Sequence, residues 1–279
     1  MSDEKETTPK KPSLPEGYSI PNVWSMPEPV PGMPFSNLPT ANVRAEKVLA
    51  KGSHPFQLYS LGTPNGQKCT ILLEELKVEY DAFKINIGEQ EQFGSDFSAI
   101  CPNQKIPALL DMTQTPPQRV FESGSIMLYL AEKYDQFIPK TVAGRTECMS
   151  WLFWQMSTAP FIGGGFGHFY NYAPIQIEYA INRYAMEVKR ILSVLDIHLE
   201  GKTYVCGDEY TIADMAILPY VLCLDVGYKA ADFLQLESYL NVSKWKTTLL
   251  ERDAVKRGLR VNGFGPDAVK ERHSSDDFN

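Results

Sequence analysis

Asn103-Gln-Lys-Ile-Pro-Ala-Leu109, followed by Arg119-Val-Phe-Glu-Ser-Gly-Ser125, is the stretch that decides the fold. Lys105-Ile-Pro-Ala-Leu-Leu110 reads as a strand broken near its start by a proline. A proline is tolerated there because the first residues of a strand need not donate to a ladder. Arg119-Val-Phe121 reads as a second strand, close enough to the first for an antiparallel hairpin. From Ser123 to Tyr134, Ile126, Leu128, Leu130 and Ala131 fall on a helical pattern.

Upstream, Phe56-Gln-Leu-Tyr-Ser60 reads as a strand and Gly62-Thr-Pro-Asn-Gly66 as a turn. Gln67 to Lys77 carries Ile71, Leu72, Leu73 and Leu76 on a helical face, and Tyr80 to Ile87 alternates in part as a strand. Gln90 to Ile100 reads as a short helix ended by Cys101-Pro102. The order is β-α-β-α-β-β-α, and its first βαβ unit implies a parallel strand pair with a right-handed crossover. That order, with a proline opening the third strand, is thioredoxin-like.

Downstream of Arg145 no strand pattern recurs. Glu147 to Thr158 is rich in Trp and Phe, and Ile175 to Leu199 is a long amphipathic helix. Tyr210 to Ile217 begins another, with Thr211 and Asp214 at capping-box spacing. The fold class expected is an α/β thioredoxin-like domain followed by an all-α helical domain. The divisions expected are a proline-rich N-terminal extension over 1–54, a thioredoxin-like domain over 55–137, a helical domain over 145–260 and a tail over 261–279. Nine of the 20 prolines fall within residues 1 to 40, which excludes helix and central strand there. Trp24, Met26, Met33 and Phe35 give the later part of this segment the apolar content of an arm lying on a folded body, against plain disorder as the alternative. The tail, ending His273-Ser-Ser-Asp-Asp-Phe-Asn279, is polar and is expected to lie loosely on the surface.

A chain of 279 residues is long enough for two domains. Lys and Arg total 27 against 34 Asp and Glu, a net charge of −7, which argues against a nucleic-acid binder. No stretch approaches the roughly 20 apolar residues that span a bilayer. The opening MSDEKETTPK lacks an apolar core, so no secretory signal is expected. Cys69, Cys101, Cys148, Cys206 and Cys223 are odd in number and dispersed, which excludes a disulfide scaffold and fits a cytoplasmic protein. His54, His168, His198 and His273 share no metal-ligand spacing, so no metal is expected.

Three places in the first half could carry chemistry. A proline such as Pro107 can open a strand for packing alone. In a thioredoxin-like sheet, however, the Ile106-Pro107 bond is cis and turns the backbone of Ile106 toward a groove, where an extended peptide can pair with it. Glu122 and Ser123 stand where a strand becomes a helix. Ser123 is a good N-cap. The free amides and positive end of that helix also suit a carboxylate, while Glu122 can hold an amino group. A group with both charges is the end of an α-amino acid. Thr63-Pro-Asn65 occupies the first strand-to-helix turn. Beyond turn chemistry, the Thr63 hydroxyl and nearby amides could stabilise a thiolate, lowering a thiol from its ordinary value of about 8.5. No cysteine lies in this turn, and Cys69 falls a turn into the helix on or near its apolar side. Any thiol at the site must therefore come from a ligand.

The stretches LYSLGTPNGQK (58–68), NQKIPAL (103–109), RVFESGSIMLYLAEK (119–133), GGGFGHFYNYAP (163–174) and GDEYTIADMAI (207–217) together resemble the glutathione transferase superfamily, and within it the bacterial Nu class of disulfide-bond reductases. The resemblance covers residues 55 to 260, and the proline-rich arm ending FSNLPT is similar to an extension found in that class. It implies a homodimer with glutathione as co-substrate and no metal. Thr63 and Asn65 match the thiol-proximal pair. Gln92 and Lys105 match positions contacting the glycyl end or backbone of glutathione. Ile106 and Pro107 match the pair that meets the cysteinyl backbone, and Glu122 and Ser123 the γ-glutamyl clamp. In that class two glutathiones, or one oxidised glutathione, share a site. Asn37, Arg183 and the aromatic loop with Phe166, His168, Phe169, Tyr170 and Tyr172 are candidates for contacting the second molecule or the acceptor. Many members of the superfamily activate the thiol with a Tyr, Ser or Cys. Tyr59 is the alternative here, but it lies inside the expected strand.

The activity the resemblance implies is glutathione-dependent reduction of a small disulfide. Conjugation of glutathione to an electrophile and reduction of an organic hydroperoxide use the same thiolate and remain alternatives. A transferase-like regulatory or binding module is the non-enzymatic one.

Overall fold

The computed structural model describes residues 14, 17–26, 39–269 and 271. The expectations resting on Met33, Phe35, Asn37 and His273 lie outside them. The chain parts into two units, residues 1–31 and 32–279. In the first, the described residues form neither helix nor strand.

The second unit opens with β1 (Phe56–Ser60), α1 (Pro64–Leu76), β2 (Tyr80–Lys84), α2 (Ser95–Ile100), β3 (Ala108–Asp111), β4 (Gln118–Phe121) and α3 (Ser123–Tyr134). The strands form one sheet in the order β2-β1-β3-β4. β1 runs parallel to β2, with Leu58 opposite Ala82, and antiparallel to β3, with Leu58 opposite Leu109. β3 and β4 form the antiparallel hairpin, Leu109 opposite Val120. β1 is buried along its whole length because both faces of the sheet are covered. Phe56 and Leu58 face α1 and α3 with Ile71, Leu72 and Met127, while Tyr59 packs with Ile85, Phe97 and Ala108 on the other side.

The segment expected to be one helix over 90–100 is a 3-10 turn, Glu91–Phe93, followed by the short α2, and another 3-10 turn, Ile87–Glu89, precedes it. Gln90 between them sits at φ 61°, in the left-handed region that ends a helix. Residues 44–49, assigned by sequence to the extension, are pinned along this segment. Arg44 N donates to Phe93 O (2.9 Å), Ala45 bridges Gly94, and Leu49 N donates to Asp96 Oδ2 (3.0 Å).

From Val142 to Gly258 the described chain is helical apart from its turns: α4 (Val142–Pro160), α5 (Glu178–His198), α6 (Ile212–Leu222), α7 (Ala231–Leu234), α8 (Leu240–Leu250) and α9 (Asp253–Gly258). The stretch expected as an aromatic loop continues α4 as π-helical turns over Phe161–Tyr172. Pro160 lacks an amide donor, so the regular ladder cannot pass through it and a wider turn takes over. The glycines here serve packing. A Cβ on Gly165 would lie 2.3 Å from the Tyr184 ring, and one on Gly167 2.4 Å from that of Tyr228.

The start of α6 is a complete capping box. Thr211 Oγ1 accepts from Ala213 N (3.2 Å) and Asp214 Oδ2 from Thr211 N (3.0 Å). Asp214 also accepts from Val205 N and Trp245 Nε1, both at 2.8 Å, and is fully buried. The segment after α9 does not lie loosely at its beginning. Gly62 N donates to Asn262 O (2.9 Å), and Val261, 1% exposed, bridges Val269. Gly62 permits this approach, since a Cβ there would lie 2.8 Å from Gly263 Cα.

Candidate active site

A cavity of about 810 Å³ opens where the β1–α1 turn, the β2–α2 connection, the approach to β3 and the start of α3 face α4. Its walls include Thr63, Asn65, Gln92, Lys105, Ile106, Pro107, Glu122 and Ser123. The Ile106-Pro107 bond is cis, and the β3 ladder begins only at Ala108, so Ile106 lies outside it.

Glu122 sits at φ 69°, ψ 124°, a sparsely populated conformation for a residue with a side chain. Such positions cost about 1–3 kcal/mol and persist where the surroundings enforce them. Glu122 Oε1 accepts from Asn103 Nδ2 (2.9 Å). It is Glu122, not Ser123, that takes the N-cap position of α3, and no side chain caps that helix. Ser123, the first helical residue, instead turns its hydroxyl toward Lys68 Nζ (3.5 Å) and Met156 Sδ (3.8 Å).

Thr63 is the N-cap of α1 and its side chain makes no capping bond. Its Oγ1 is buried without a hydrogen-bond partner, and so is Oε1 of Gln92. Buried polar atoms are ordinarily paired, so an orphaned one in a cavity wall marks a place for a ligand atom. The first amides of α1 also lack intrahelical acceptors, and Pro64 at its start has no amide to contribute.

A second cavity, of about 800 Å³, lies on the other side of Thr63. It shares Thr63 and Ile87 with the first and is walled mainly by apolar groups of α6, the π-helical turn after it and the 259–268 segment. Pro219, Leu222, Val226 and Phe264 are among them, with Tyr172. Of the aromatic candidates, Tyr172 therefore meets a cavity. Phe166 is fully buried, stacked on Tyr170 at 4.8 Å. His168 is half-buried against Phe169, and Arg183 is exposed on α5. None of these three lines either cavity.

Tyr59 is turned away from both. Its hydroxyl donates to Ala50 O (2.8 Å), and burial pushes it up to about 12. Cys69 is fully buried, and burial pushes its thiol up to about 12, the behaviour of a packing residue.

Sequence reasoning missed Lys68, Gln155 and Tyr220. Lys68 is fully buried at the floor of the first cavity, donating to Asn65 Oδ1 (2.9 Å) and Gln155 Oε1 (2.6 Å), with Nζ 4.8 Å from the centre of the Tyr220 ring. Burial lowers its ammonium to about 7. A signal was present: Lys68 precedes Ile71 and Leu72 by three and four residues and so shares their apolar face. Among the described residues no group of three or more His, Cys, Asp and Glu is arranged to hold a metal, and no helix is long and apolar enough to cross a membrane.

Comparison with known proteins accords with this geometry. Residues 54–132 match the model of the glutathione S-transferase N-terminal domain, and residues 178–253 that of its C-terminal domain. The chain is 53% identical over 274 residues to the disulfide-bond oxidoreductase YghU of Escherichia coli, covering 94% of this chain and 95% of that protein. It superposes with TM-score 0.84 on the glutathione transferase YghU of Streptococcus pneumoniae, solved with glutathione, at 51% identity over 88% of this chain and 97% of that one. A glutathione transferase from Pseudomonas putida, solved with one glutathione disulfide per subunit, matches with TM-score 0.73 and 38% identity, covering 77% and 94%.

Proposed function

The chain belongs to the glutathione S-transferase family, and we propose that it is a glutathione-dependent disulfide-bond reductase whose thiolate forms at Thr63 and Asn65. The observation that carries this reading is the buried, unpartnered Thr63 hydroxyl at the junction of the two cavities. A hydroxyl with no partner of its own can donate to a ligand sulfur, and the uncapped α1 terminus adds its positive end. The cavity holding Glu122, Ser123, Ile106, Lys105 and Gln92 takes glutathione: Glu122 meets its amino group, Ser123 and the open α3 terminus its γ-glutamyl carboxylate, and Ile106 its cysteinyl backbone. The apolar cavity beyond Thr63 takes the acceptor.

In this scheme the glutathione thiolate attacks one sulfur of a small disulfide. A mixed disulfide forms and one thiolate leaves. A second glutathione thiolate attacks the mixed disulfide, giving oxidised glutathione and releasing the second thiol. Two glutathiones are oxidised for each disulfide reduced, and no metal takes part. The protein supplies alignment and a stabilised thiolate. The relatives of this chain named disulfide-bond oxidoreductase or solved with glutathione disulfide support this reading over conjugation.

Calorimetric titration of glutathione into the protein, with turnover measured on a disulfide, an aryl halide and an organic hydroperoxide, tests it. Binding near two per subunit with preferred disulfide turnover is expected. Turnover of the aryl halide alone would replace it with conjugation, and binding without turnover of any acceptor would make the chain a regulatory module. The five free cysteines fit a reducing cytoplasm. The resemblance to the family supports a homodimer as part of this proposal, and sedimentation as a monomer at micromolar concentration would remove it.

A further inference from the structure

We infer that Lys68 is a positioning residue of this site, holding the Asn65 carboxamide so that its amide group, not its oxygen, is offered to the glutathione sulfur. The inference rests on the reading of Thr63 and Asn65 given above and adds a residue that has no place in that scheme.

The geometry begins at Nζ. It donates to Asn65 Oδ1 at 2.9 Å, which fixes the oxygen edge of the carboxamide toward the protein interior. A carboxamide is planar and carries its two donors on the nitrogen opposite the oxygen. With Oδ1 held inward, Nδ2 faces the other way, and Asn65 stands in the cavity wall beside Thr63. Tyr220, which also stands in that wall, interacts with the Asn65 side chain. A flipped Asn65 would set its donors against an ammonium and its oxygen against a thiolate. Both contacts are repulsive, so the lysine decides which end of Asn65 the sulfur meets.

Lys68 is itself held from the opposite half of the molecule. Gln155 of α4 accepts from Nζ at 2.6 Å and is 1% exposed. The thiol end of the cavity is thereby registered against the helical half. Lys68 is fully buried, and among the described residues it forms no ion pair with a carboxylate within 4.0 Å. A buried cation so placed is costly for folding alone, and a well-packed apolar residue would ordinarily serve better. Of its three polar contacts, those to Asn65 and, more distantly, Ser123 at 3.5 Å are with residues of the cavity wall, and Gln155 anchors it from behind.

The test uses the full chain with Lys68→Met, which keeps length and removes donor and charge, and Gln155→Met, which loosens the lysine from a residue outside the cavity wall. The ultraviolet thiolate band of bound glutathione is titrated against pH, beside kcat and KM. In Lys68→Met the bound thiol is expected to titrate about one unit higher than in the wild-type chain. Its kcat near neutral pH should fall about tenfold with KM for glutathione changed far less. Gln155→Met should move both in the same direction by less. A bound thiol titrating as in wild type in both variants overturns the inference, whatever happens to melting temperature, because a purely structural lysine would alter stability and leave the thiol unchanged. If Lys68→Met fails to fold, an unshifted thiol in Gln155→Met overturns it. Wild-type protein that binds glutathione without lowering its thiol would overturn the functional reading itself, and this inference with it.

Discussion

The helices α1 and α6 both begin at a threonine in extended conformation, Thr63 at ψ 165° and Thr211 at ψ 174°, and the two starts are opposites. At α6 every part of the cap is satisfied by the chain itself. Thr211 accepts from Ala213 N, and Asp214 accepts from Thr211, Val205 and Trp245. At α1 the threonine hydroxyl is equally sheltered from water and has no partner. The same side chain at the same helical position is a fastening in one place and an open valence in the other. A helix start completed by its own chain serves folding, whereas one left incomplete in a cavity wall awaits a ligand.

The strongest way to break this contrast is to remove the open valence. Thr63→Ala with Asn65→Ala is expected to lower kcat by about 100- to 1000-fold, the usual loss when donors to a developing or stabilised anion are deleted. Glutathione affinity measured by calorimetry should change much less. Loss of affinity at unchanged kcat would move Thr63 from chemistry to simple binding.

Asp214→Ala attacks the opposite pole. It removes the acceptor of three buried donors and half of a capping box, and should cost about 2–4 kcal/mol of stability. Thermal unfolding should show a melting temperature lower by roughly 2–4 °C for each kcal/mol. Activity per folded molecule should be unchanged. A fall in kcat without a fall in melting temperature would mean that α6 is not the purely structural start described.

Glu122→Ala should weaken glutathione binding by about 10- to 100-fold, the loss of one charge-assisted contact, with kcat at saturation near wild type. The α3 start, like that of α1, has no side-chain cap and stands in the cavity wall; in the proposed scheme it grips the ligand, so KM rather than kcat is the readout.

These contrasts were only half visible in the sequence. The element order, the parallel first pair, the hairpin and the helical second half followed from hydrophobic period and from Pro107. So did the capping box, because Thr211 and Asp214 carry both of its partners at fixed spacing. What escaped was whatever depended on contacts between distant segments. Thr63 could be read as a turn residue or as a thiol neighbour, and only the position of every surrounding donor and acceptor shows its hydroxyl unpaired. Ser123 looked like an N-cap, but the positive φ of Glu122 shifts the cap by one residue. Lys68 was passed over because its partner Gln155 lies 87 residues away. The glycine-rich 163–174 stretch looked like a loop because glycine usually signals one. Here the missing side chains make room for Tyr184 and Tyr228.

Lys68 sharpens the contrast through pH. Its folded-state ammonium titrates at about 7, against 10.5 ordinarily, because burial disfavours the charge. Between those values the unfolded chain holds a proton that the folded chain has released, so stability rises with pH across that window. It is flat below about 7. The rise is limited to about 1.4 kcal/mol per pH unit for one group. The neighbouring titratable groups are Cys69 and Tyr220, both pushed up to about 12 by burial, and the exposed Glu122. Denaturant unfolding of wild type and Lys68→Met from pH 7 to 9 should show their stability difference moving in favour of wild type as pH rises. Parallel lines would mean that the lysine keeps its ordinary proton affinity in the folded chain.

The smallest effect is the most diagnostic of the comparison itself. Thr211→Ala deletes a hydroxyl that accepts from Ala213 N at 3.2 Å and contacts Cys206 Sγ at 3.5 Å. Loss of such a cap costs about 1 kcal/mol, or roughly 2–4 °C of melting temperature. Thr63→Ala deletes a hydroxyl from the same helical position that makes no hydrogen bond. Removing an unpaired buried polar atom forfeits no bond and relieves a desolvation penalty, so the melting temperature of the ligand-free protein should hold or rise slightly. Saturating glutathione should narrow the gap between the two variants. Ligand binding stabilises the folded chain by an amount that grows with the logarithm of ligand concentration over Kd, and Thr63→Ala gives up a small part of that gain while Thr211→Ala keeps all of it. Equal losses in the ligand-free protein would mean that the Thr63 hydroxyl is already bonded within the fold, and that the two helix starts are alike after all.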